Sequence, residues 1–392
     1  MSRKKPRMCV RSVPGRPNLS FVRSPEASLR VVIDATPLLG NQTGIGVFTQ
    51  ALFNALVARE DVHLSAFGLT GRNITALDRA LPQDMSHNAR VMPAALLTPL
   101  WKFTDHPKLD RWMNAGDVVH GTNFVVPPTR KAARLVTVHD LTALRYPQLC
   151  TSASRRYPDL VRAAVKRGAH VHTLSRSAAR DVEELLGVPP QRVHVVAPGV
   201  DSRLEESNIV VTPSSPYIFA IGTIEPRKDF PTLIKAFDII AGAQPDVQLL
   251  IAGDRGWGSD DFDRALDVAQ HARRIRVLGR ISADRYDELL RGASALAYPS
   301  LYEGFGYPPL EAMRAGVPVV STNVASLPET CGDAALLVEP RNPEALANAL
   351  EEVLTDTKLR EDLVRKGFAR VSSLRWDEAA TKFVALYKEL AT

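Results

Sequence analysis

Two successive series of short strands, each alternating with longer helical stretches, are the feature that most constrains how this chain can fold. Short β-branched and apolar runs separated by amphipathic helices are typical of βαβ units, which build parallel sheets. The first series has predicted strands at Arg30–Ala35, Asp61–Phe67, Asp117–His120, Leu135–His139, His170–Leu174 and Val193–Val196. The second has predicted strands at Tyr217–Gly222, Val247–Gly253, Ile275–Gly279, Ala295–Pro299, Val317–Ser321 and Leu336–Glu339.

A cluster of chain-breaking residues separates the two series. Ala197–Asp201 reads Ala-Pro-Gly-Val-Asp, and a polar stretch then ends in the Pro-Ser-Ser-Pro of 213–216. A chain of 392 residues is also longer than one hydrophobic core usually organises. We therefore predict an α/β protein of two Rossmann-like, doubly wound domains at 30–200 and 214–375, facing a central cleft that holds the substrate.

The last segment, 376–392, is predicted to be a helix that packs back on the N-terminal domain. Ala379, Phe383, Leu386 and Tyr387 are spaced so that they form one apolar stripe along it. An apolar stripe of this kind is stable when it packs against another element of the fold.

The net charge of +6 is concentrated in the tail at residues 1–29. Residues 1–30 carry eight basic residues and one glutamate, so the other 362 residues sum to about −1. The near-neutral body argues against a nucleic-acid partner. A tail rich in proline and serine without helical or strand periodicity indicates disorder, and a weak tether to anionic lipid or polymer is the alternative.

Cysteine usage and hydropathy bear on the compartment. Cys9, Cys150 and Cys331 lie far apart, with no metal-like or redox-like spacing. No apolar run approaches the roughly 20 residues that a membrane-spanning helix needs. We expect a soluble, cytoplasmic protein without a metal cofactor. Basic residues on the predicted helices of 155–180 favour a solvated face, with docking on the inner face of the cell membrane as the alternative.

The strongest functional signal runs from Tyr298 to Pro318, where a strand leads through a glycine-containing loop into a helix that starts near Pro308 or Pro309. The loop carries Glu303, Gly304, Phe305, Gly306 and Tyr307. A loop of this kind before a helix N-terminus suits phosphate and sugar hydroxyls. Glu303 and Glu311 could accept paired hydrogen bonds from vicinal hydroxyls, although a solvated Glu303 and a Glu311 that only favours its helix remain open.

Arg227 and Lys228 follow a predicted strand and a proline, and they precede a helix that starts near Asp229. Two cations at the ligand-binding end of a sheet could neutralise a diphosphate leaving group where other enzymes use Mg²⁺. The alternative on residues alone is a pair of solvated surface charges. A metal site at Asp261 and Asp263 is disfavoured, because Ser259–Asp261 is typical of a helix cap with an acidic first turn.

The segment from Tyr298 to Pro318, with its two glutamates separated by seven residues, resembles the signature of glycosyltransferase family 4. Four more segments match the family: the Arg-Lys loop at 222–230, the glycine loop at 43–48, His139-Asp140-Leu141 and the 197–201 linker. The resemblance covers about residues 30–390 and implies the two-Rossmann GT-B architecture, with 30–200 as the acceptor-side domain and 214–375 as the domain that binds the nucleotide sugar. It implies a retaining transferase that uses a nucleotide sugar, with a motif set most similar to bacterial mannosyltransferases that use GDP-mannose.

The resemblance also assigns expected roles to individual residues. His139, Arg227, Lys228 and Glu303 are expected at the reacting centre, with His139 beside the reacting sugar. Further binding contacts are expected from Gly44 and Gly46, whose loop lies across the cleft from the donor phosphates and near the acceptor. Donor contacts are expected from Thr223, Arg280, Gly304, Phe305, Gly306, Tyr307 and Glu311. Asp140 is the obvious base by chemistry, but it could equally orient His139 or cap a turn.

Other functions remain open at this point. UDP-glucose or another nucleotide sugar could replace GDP-mannose as the donor, and the acceptor is expected to be a glycan or a glycolipid. A nucleotide-sugar epimerase and a non-catalytic protein that binds sugar nucleotides are alternatives of the same architecture. The pair Glu303 and Glu311 argues against the epimerase.

Overall fold

The computed structural model describes residues 29–39, 44–70, 77, 79–82, 85, 87–91, 94–114, 116–200 and 215–392. The basic tail up to residue 28, Thr43 of the glycine loop and the polar part of the linker at 201–214 lie outside the described residues. What the sequence predicts for those segments therefore stays a prediction.

In the first half of the chain, the described residues form a parallel sheet of seven strands in the order β3-β2-β1-β4-β5-β6-β7. The strands are β1 (Leu29–Asp34), β2 (Val62–Thr70), β3 (His87–Val91), β4 (Val118–Gly121), β5 (Ala133–Thr137), β6 (His170–Thr173) and β7 (Val193–Val195). Strand β3 was not predicted, because its sequence His-Asn-Ala-Arg-Val has a single β-branched residue and no apolar run.

The second half forms a parallel sheet of six strands in the order β10-β9-β8-β11-β12-β13. They are β8 (Tyr217–Ile221), β9 (Gln248–Ala252), β10 (Ile275–Gly279), β11 (Ala295–Tyr298), β12 (Val319–Thr322) and β13 (Ala335–Val338). All six predicted strands of this series are present. The two sheets with their helices confirm the predicted fold class.

Helices connect the strands in both halves. Those described are α1 (Gly44–Val57), α2 (Ala94–Phe103), α3 (Asp110–Met113), α4 (Thr142–Arg145), α5 (Tyr157–Lys166), α6 (Arg176–Leu186), α7 (Phe230–Ala243), α8 (Asp260–Asp267), α9 (Ala283–Arg291), α10 (Tyr307–Arg314), α11 (Leu327–Cys331), α12 (Pro343–Thr355), α13 (Thr357–Ser372) and α14 (Trp376–Ala391). Short 3₁₀ turns follow β1 and β8, at Thr36–Leu38 and Pro226–Lys228.

The second sheet is buried on both faces. Along β8, Ile218 and Ala220 lie in one apolar cluster with α7 and α12, whereas Tyr217 and Phe219 lie in another cluster with α10. A parallel sheet covered by helices on both faces requires such apolar strands. This burial fixes the strands, so the loops at their carboxyl ends start from a rigid base.

Each sheet has one point at which the strand order reverses. In the first sheet it lies between β1 and β4, and in the second between β8 and β11. The loops that follow these neighbouring strands diverge to opposite faces, which leaves a crevice where ligands of doubly wound sheets bind. The fold therefore has two natural ligand sites.

Helix α14 packs against α1 and against strands β1, β4 and β5 of the first sheet. Phe383 and Tyr387 are fully buried there, and the Tyr387 hydroxyl lies 2.8 Å from Nδ1 of His120. The chain thus passes from one half to the other twice. The two crossing segments lie side by side, and Val200 N donates a hydrogen bond to Leu374 O at 2.9 Å.

Candidate active site

The crevice of the second sheet holds a compact cluster of charges. Arg227 and Lys228 lie in the 3₁₀ turn after β8, and Glu303 lies in the loop after β11. Lys228 Nζ is 2.5 Å from Glu303 Oε1, and Arg227 Nη1 is 2.7 Å from Glu303 Oε2. Glu303 is therefore not the solvated carboxylate that the sequence left open, and the structure brings these three predicted site residues together.

Local backbone geometry explains how the two cations reach this position. Gly222 follows β8 directly, with φ of 147°, and a Cβ added there would lie 3.0 Å from Lys228 Cε. Glycine thus leaves room for the lysine side chain to lie over the strand end. Asp229 closes the turn in the left-handed region, with φ of 48°, so α7 begins one residue later than predicted, at Phe230.

Tyr298 and Glu225 complete the cluster. The Tyr298 hydroxyl lies 2.8 Å from Lys228 Nζ and donates to Glu303 Oε1 at 2.9 Å. Glu225 Oε1 lies 2.9 Å from Arg227 Nη2. The four charged residues comprise two cations and two carboxylates, so an entering anion must compete with a carboxylate for each cation.

Burial and charge act in opposite directions on these groups. Burial alone would raise the pKa of Glu303, but Arg227 and Lys228 outweigh it and lower that pKa from 4.5 to about 2. Burial lowers the pKa of Lys228, and the Glu303 carboxylate opposes that shift. Glu303 is consequently ionised at neutral pH and serves as the fixed counter-charge of the cations.

The loop after Glu303 is pressed against the first half of the chain. A Cβ on Gly304 would lie 1.7 Å from His139 O, so only glycine fits there. Gly304 O accepts from Ser175 Oγ at 2.7 Å, and Phe305 O accepts from the Thr330 hydroxyl. Gly306 has φ of 96°, and α10 then begins at Tyr307, one residue before the predicted start.

Glu311 lies one turn into α10, and its Oε2 accepts from the Tyr286 hydroxyl at 2.6 Å. The buried Tyr307 hydroxyl finds no hydrogen-bond partner within the described part of the chain. Thr223 is exposed in the turn after β8. Arg280 follows β10, half exposed, with Nη1 3.6 Å from Asp254 Oδ2. These residues lie along the same carboxyl edge as Lys228.

His139 lies in the first half, where its carbonyl oxygen abuts Gly304 of the loop after Glu303. The sequence predicted that it ends a strand, which is wrong: β5 stops at Thr137, and the chain then turns into α4. His139 Nε2 lies 2.8 Å from Thr122 O and therefore carries the proton of the neutral ring. Burial lowers the pKa of His139, so the ring is neutral at physiological pH.

Helix α1 packs against His139. Phe48 on α1 contacts the His139 ring edge-on, with centroids 5.3 Å apart. Gly44 and Gly46 lie in the first turn of the same helix. Asp140 Oδ1 accepts from Thr142 N at 2.9 Å and from Thr142 Oγ1 at 2.7 Å, which places Asp140 in a turn cap.

Two contacts between the halves were not anticipated. Both oxygens of Glu329 accept from the N-terminus of α6, at 2.8 Å from Arg176 N and 2.9 Å from Ser177 N. The Tyr302 hydroxyl donates to the Asp181 carboxylate on the same helix. A carboxylate at a helix N-terminus is stabilising, so this helix end holds the two halves together beside the cluster.

The Asp-Phe-Asp segment at 261–263 lies in the first turn of α8, and each aspartate pairs with an arginine. Within the described ranges, no group of three His, Cys, Asp or Glu side chains is arranged to hold a metal ion. The same ranges contain no helix long and apolar enough to cross a membrane.

The basic residues of 155–180 are partly structural. Arg162 Nη2 donates to Leu185 O at 2.8 Å, and Arg167 Nη1 donates to Trp101 O at 2.8 Å. The other basic side chains of the segment are exposed: Arg155, Arg156, Lys166, Arg176 and Arg180. The segment therefore keeps most of the basic face that the sequence suggests, and Arg162 and Arg167 are its structural members.

Two family models match consecutive parts of the chain. The model described as Glycosyltransferase Family 4 matches residues 43–204, and that described as Glycosyl transferases group 1 matches residues 202–370. O-antigen chain mannosyltransferase B of Escherichia coli is 27% identical over 390 residues, with 92% of this chain and 100% of that protein covered. D-inositol 3-phosphate glycosyltransferase of Paenarthrobacter aurescens is 30% identical over 217 residues, covering 52% and 53%.

Solved structures agree on the architecture. Sucrose-phosphate synthase from Thermosynechococcus elongatus superposes with a TM-score of 0.71 at 19% identity, covering 92% of this chain and 99% of that one. HepE from Anabaena, solved with UDP-glucose, gives a TM-score of 0.68 at 16% identity, covering 92% and 100%. With the two family models spanning 43–370, this chain is a GT-B enzyme of the family 4, group 1 glycosyltransferases.

Proposed function

We propose that this glycosyltransferase moves a hexose, with retention and without a metal ion, from GDP-mannose to a glycan or glycolipid acceptor. The observation that carries the proposal is the cluster of Arg227, Lys228 and Glu303 at the crevice between β8 and β11. Two cations held by carboxylates, Lys228 buried and Arg227 half-buried, are positioned for a diphosphate before it arrives. Such preorganised charge stabilises a leaving group as its negative charge develops.

The donor nucleotide and sugar extend along the carboxyl edge of the second sheet. Arg227 and Lys228 take the diphosphate, and Glu303 and Glu311 take hydroxyls of the sugar and the ribose. Thr223, Arg280 and the loop from Gly304 to Tyr307 surround the nucleotide. The E. coli mannosyltransferase, similar over nearly the whole chain, supports mannose as the sugar.

Transfer takes place on one face of the sugar. The bond between the anomeric carbon and the phosphate oxygen breaks while the acceptor oxygen bonds to the same face. The acceptor's proton passes to the departing phosphate oxygen, so GDP leaves and the configuration is retained. This front-face course suits a site in which no carboxylate is assigned as a nucleophile of the kind that retaining hydrolases use.

His139 orients the sugar from the opposite half. Its Nε2 proton is committed to Thr122 O, so Nδ1 can accept a hydrogen bond from a hydroxyl. The neutral ring adds no charge beside the leaving group. Gly44 and Gly46, at the start of α1, allow the donor phosphates to approach backbone amides.

The test is a screen of GDP-mannose, UDP-glucose and other nucleotide sugars for donor hydrolysis and transfer, with a chelator present and absent. The double variant Arg227→Ala, Lys228→Ala should lose at least about 100-fold in nucleotide affinity, because two charge-assisted interactions disappear. Arg365→Ala, Lys366→Ala is the matched control, an adjacent Arg-Lys pair on α13.

Each outcome is informative. Turnover of UDP-glucose instead of GDP-mannose would change the donor and keep the site. Loss of activity with the chelator would refute metal independence. Unchanged affinity in the Arg227, Lys228 double variant would refute the phosphate site, and an inverted product linkage would refute the front-face course.

A further inference from the structure

Tyr302 belongs to the second half of the chain, but its side chain is buried in the first half. Its ring contacts the Tyr146 ring edge-on, with centroids 5.6 Å apart. Its hydroxyl donates to the Asp181 carboxylate on α6 and accepts from Leu141 N at 3.4 Å. The side chain thus crosses from the loop after β11 into the opposite half.

Asp181 is a fixed acceptor for this hydroxyl. It is almost fully buried, and its Oδ1 lies 2.5 Å from Arg145 Nη2, while its Oδ2 accepts from Tyr302. Burial and the hydrogen bond to Asp181 raise the pKa of Tyr302, so the hydroxyl keeps its proton and donates it at physiological pH. A hydrogen bond to a carboxylate is stronger than one between neutral groups. The side chain of Tyr302 is therefore firmly anchored.

The backbone around Tyr302 holds Arg227. Arg227 Nη1 donates to Tyr302 O at 3.0 Å, and Leu301 N donates to Arg227 O at 2.8 Å. The following residue, Glu303, pairs with the same Nη1 at 2.7 Å, and Glu225 holds the other side of the guanidinium. Three consecutive residues, 301–303, therefore hold both the main chain and the guanidinium of Arg227.

The same loop lies beside the His139 segment. Leu141, whose amide donates to the Tyr302 hydroxyl, comes two residues after His139. Gly304, two residues after Tyr302, abuts His139 O. If the halves separated, the Tyr302 hydroxyl would lose both of its partners, and residues 301–303 would lose their anchor in the first half.

We propose that Tyr302 is a positioning residue, whose hydrogen bond to Asp181 makes the position of the Arg227 guanidinium depend on contact between the two halves. The proposal rests on the proposed role of Arg227 at the diphosphate. Tyr302 acts through Arg227 rather than on the donor itself. The cations are then aligned for the departing phosphate only when the halves are in contact, and small errors in such alignment are costly in rate.

The test compares Tyr302→Phe with the wild-type enzyme. Phenylalanine keeps the ring and removes only the hydroxyl. In GDP-mannose hydrolysis, kcat should fall on the order of tenfold, as expected for the loss of one charge-assisted hydrogen bond. GDP affinity should stay within about threefold, because both cations keep their charge. A merely structural Tyr302 would instead lower Tm and leave the kcat of the folded enzyme unchanged.

Tyr217→Phe is the matched control. The Tyr217 hydroxyl is also buried, and it donates to Leu289 O at 2.7 Å within the second half. This variant should keep the wild-type kcat. Asp181→Asn is a second variant, which keeps an acceptor for the hydroxyl and removes its charge. In the Asp181→Asn background, Tyr302→Phe should reduce kcat by a smaller factor than in wild type, because the two residues act as a pair.

Hydrogen–deuterium exchange gives a readout that needs no substrate. Exchange at the Leu301 amide, which donates to Arg227 O, should be on the order of tenfold faster in Tyr302→Phe and unchanged in Tyr217→Phe. Unchanged exchange at Leu301, an unchanged kcat, or an equal loss in Tyr217→Phe would overturn the proposal. If the wild type neither hydrolyses a nucleotide sugar nor binds GDP or UDP, the proposed function fails, and exchange at Leu301 still decides whether Tyr302 positions Arg227.

Discussion

Replacing Asp34 with asparagine should stabilise the protein at neutral pH. The pKa of Asp34 is raised from 3.8 to about 6 because burial disfavours the carboxylate. A rise of about two pKa units corresponds to roughly 3 kcal/mol of unfolding free energy. Asparagine keeps the shape and the Thr36 hydrogen bonds without the charge, so it removes this cost.

The sign of the effect depends on pH. Below 3.8 the side chain is protonated in both states and costs nothing. As pH rises through the unfolded value towards about 6, folding must retain a proton that the unfolded chain releases, and the cost grows. Above about 6 the cost is complete. The stabilisation by Asp34→Asn should thus be largest above pH 6 and fade towards pH 4, by about 3 kcal/mol in total.

The assay is thermal and urea unfolding of wild type and Asp34→Asn between pH 4 and pH 8, followed by fluorescence. A gain of about 3 kcal/mol corresponds to a rise in Tm of roughly 6 to 12 °C for an α/β unit of this size. Asp333→Asn, an exposed carboxylate, should change stability by less than about 0.5 kcal/mol at every pH. A destabilised Asp34→Asn at neutral pH, or a gain independent of pH, would refute the reasoning.

Three further changes test the cluster and the contacts around it. Glu303→Gln should cost about 3 kcal/mol of unfolding free energy, since it leaves the buried Lys228 and the half-buried Arg227 without their shared carboxylate. In urea titrations the cost should hold above pH 4.5 and vanish as pH falls towards about 2, where wild type loses the charge too. Gly304→Ala should lower kcat by about 100-fold, because its Cβ would overlap His139 O and push the halves apart, whereas kcat unaffected by alanine would contradict that contact. Glu329→Gln should weaken the cap on α6 by about 1 kcal/mol and enlarge the radius of gyration in solution scattering without nucleotide; an unchanged radius would show that the cap does not hold the halves together.

The sequence indicates the donor cluster because its members follow strands. Arg227 and Lys228 come after one predicted strand and Glu303 after another, and carboxyl ends of parallel strands share an edge. Pattern alone could not show that Glu303 pairs with both cations. That pairing depends on β8 and β11 being neighbours in the sheet, which strand prediction leaves undetermined.

The sequence could not predict the contacts between the two halves, for a related reason. Ser175 can be recognised as a helix cap, but Glu329 is more than 150 residues away and caps the same helix only once the two sheets face each other. Asp34 was missed because a single acid at the end of an apolar strand is ordinary. The available signal was its place at the end of β1, the strand at which the first sheet reverses.

The position of α14 has a consequence for synthesis on the ribosome. The face of β1, β4 and β5 that carries Val31, Val118 and Leu135 stays incompletely covered until Phe383 and Tyr387 of α14 have been translated. The unit translated first must therefore wait for its final helix, while residues 215–372 can complete their own core earlier. Nascent chains stalled before residue 376 should expose this apolar surface to chaperones.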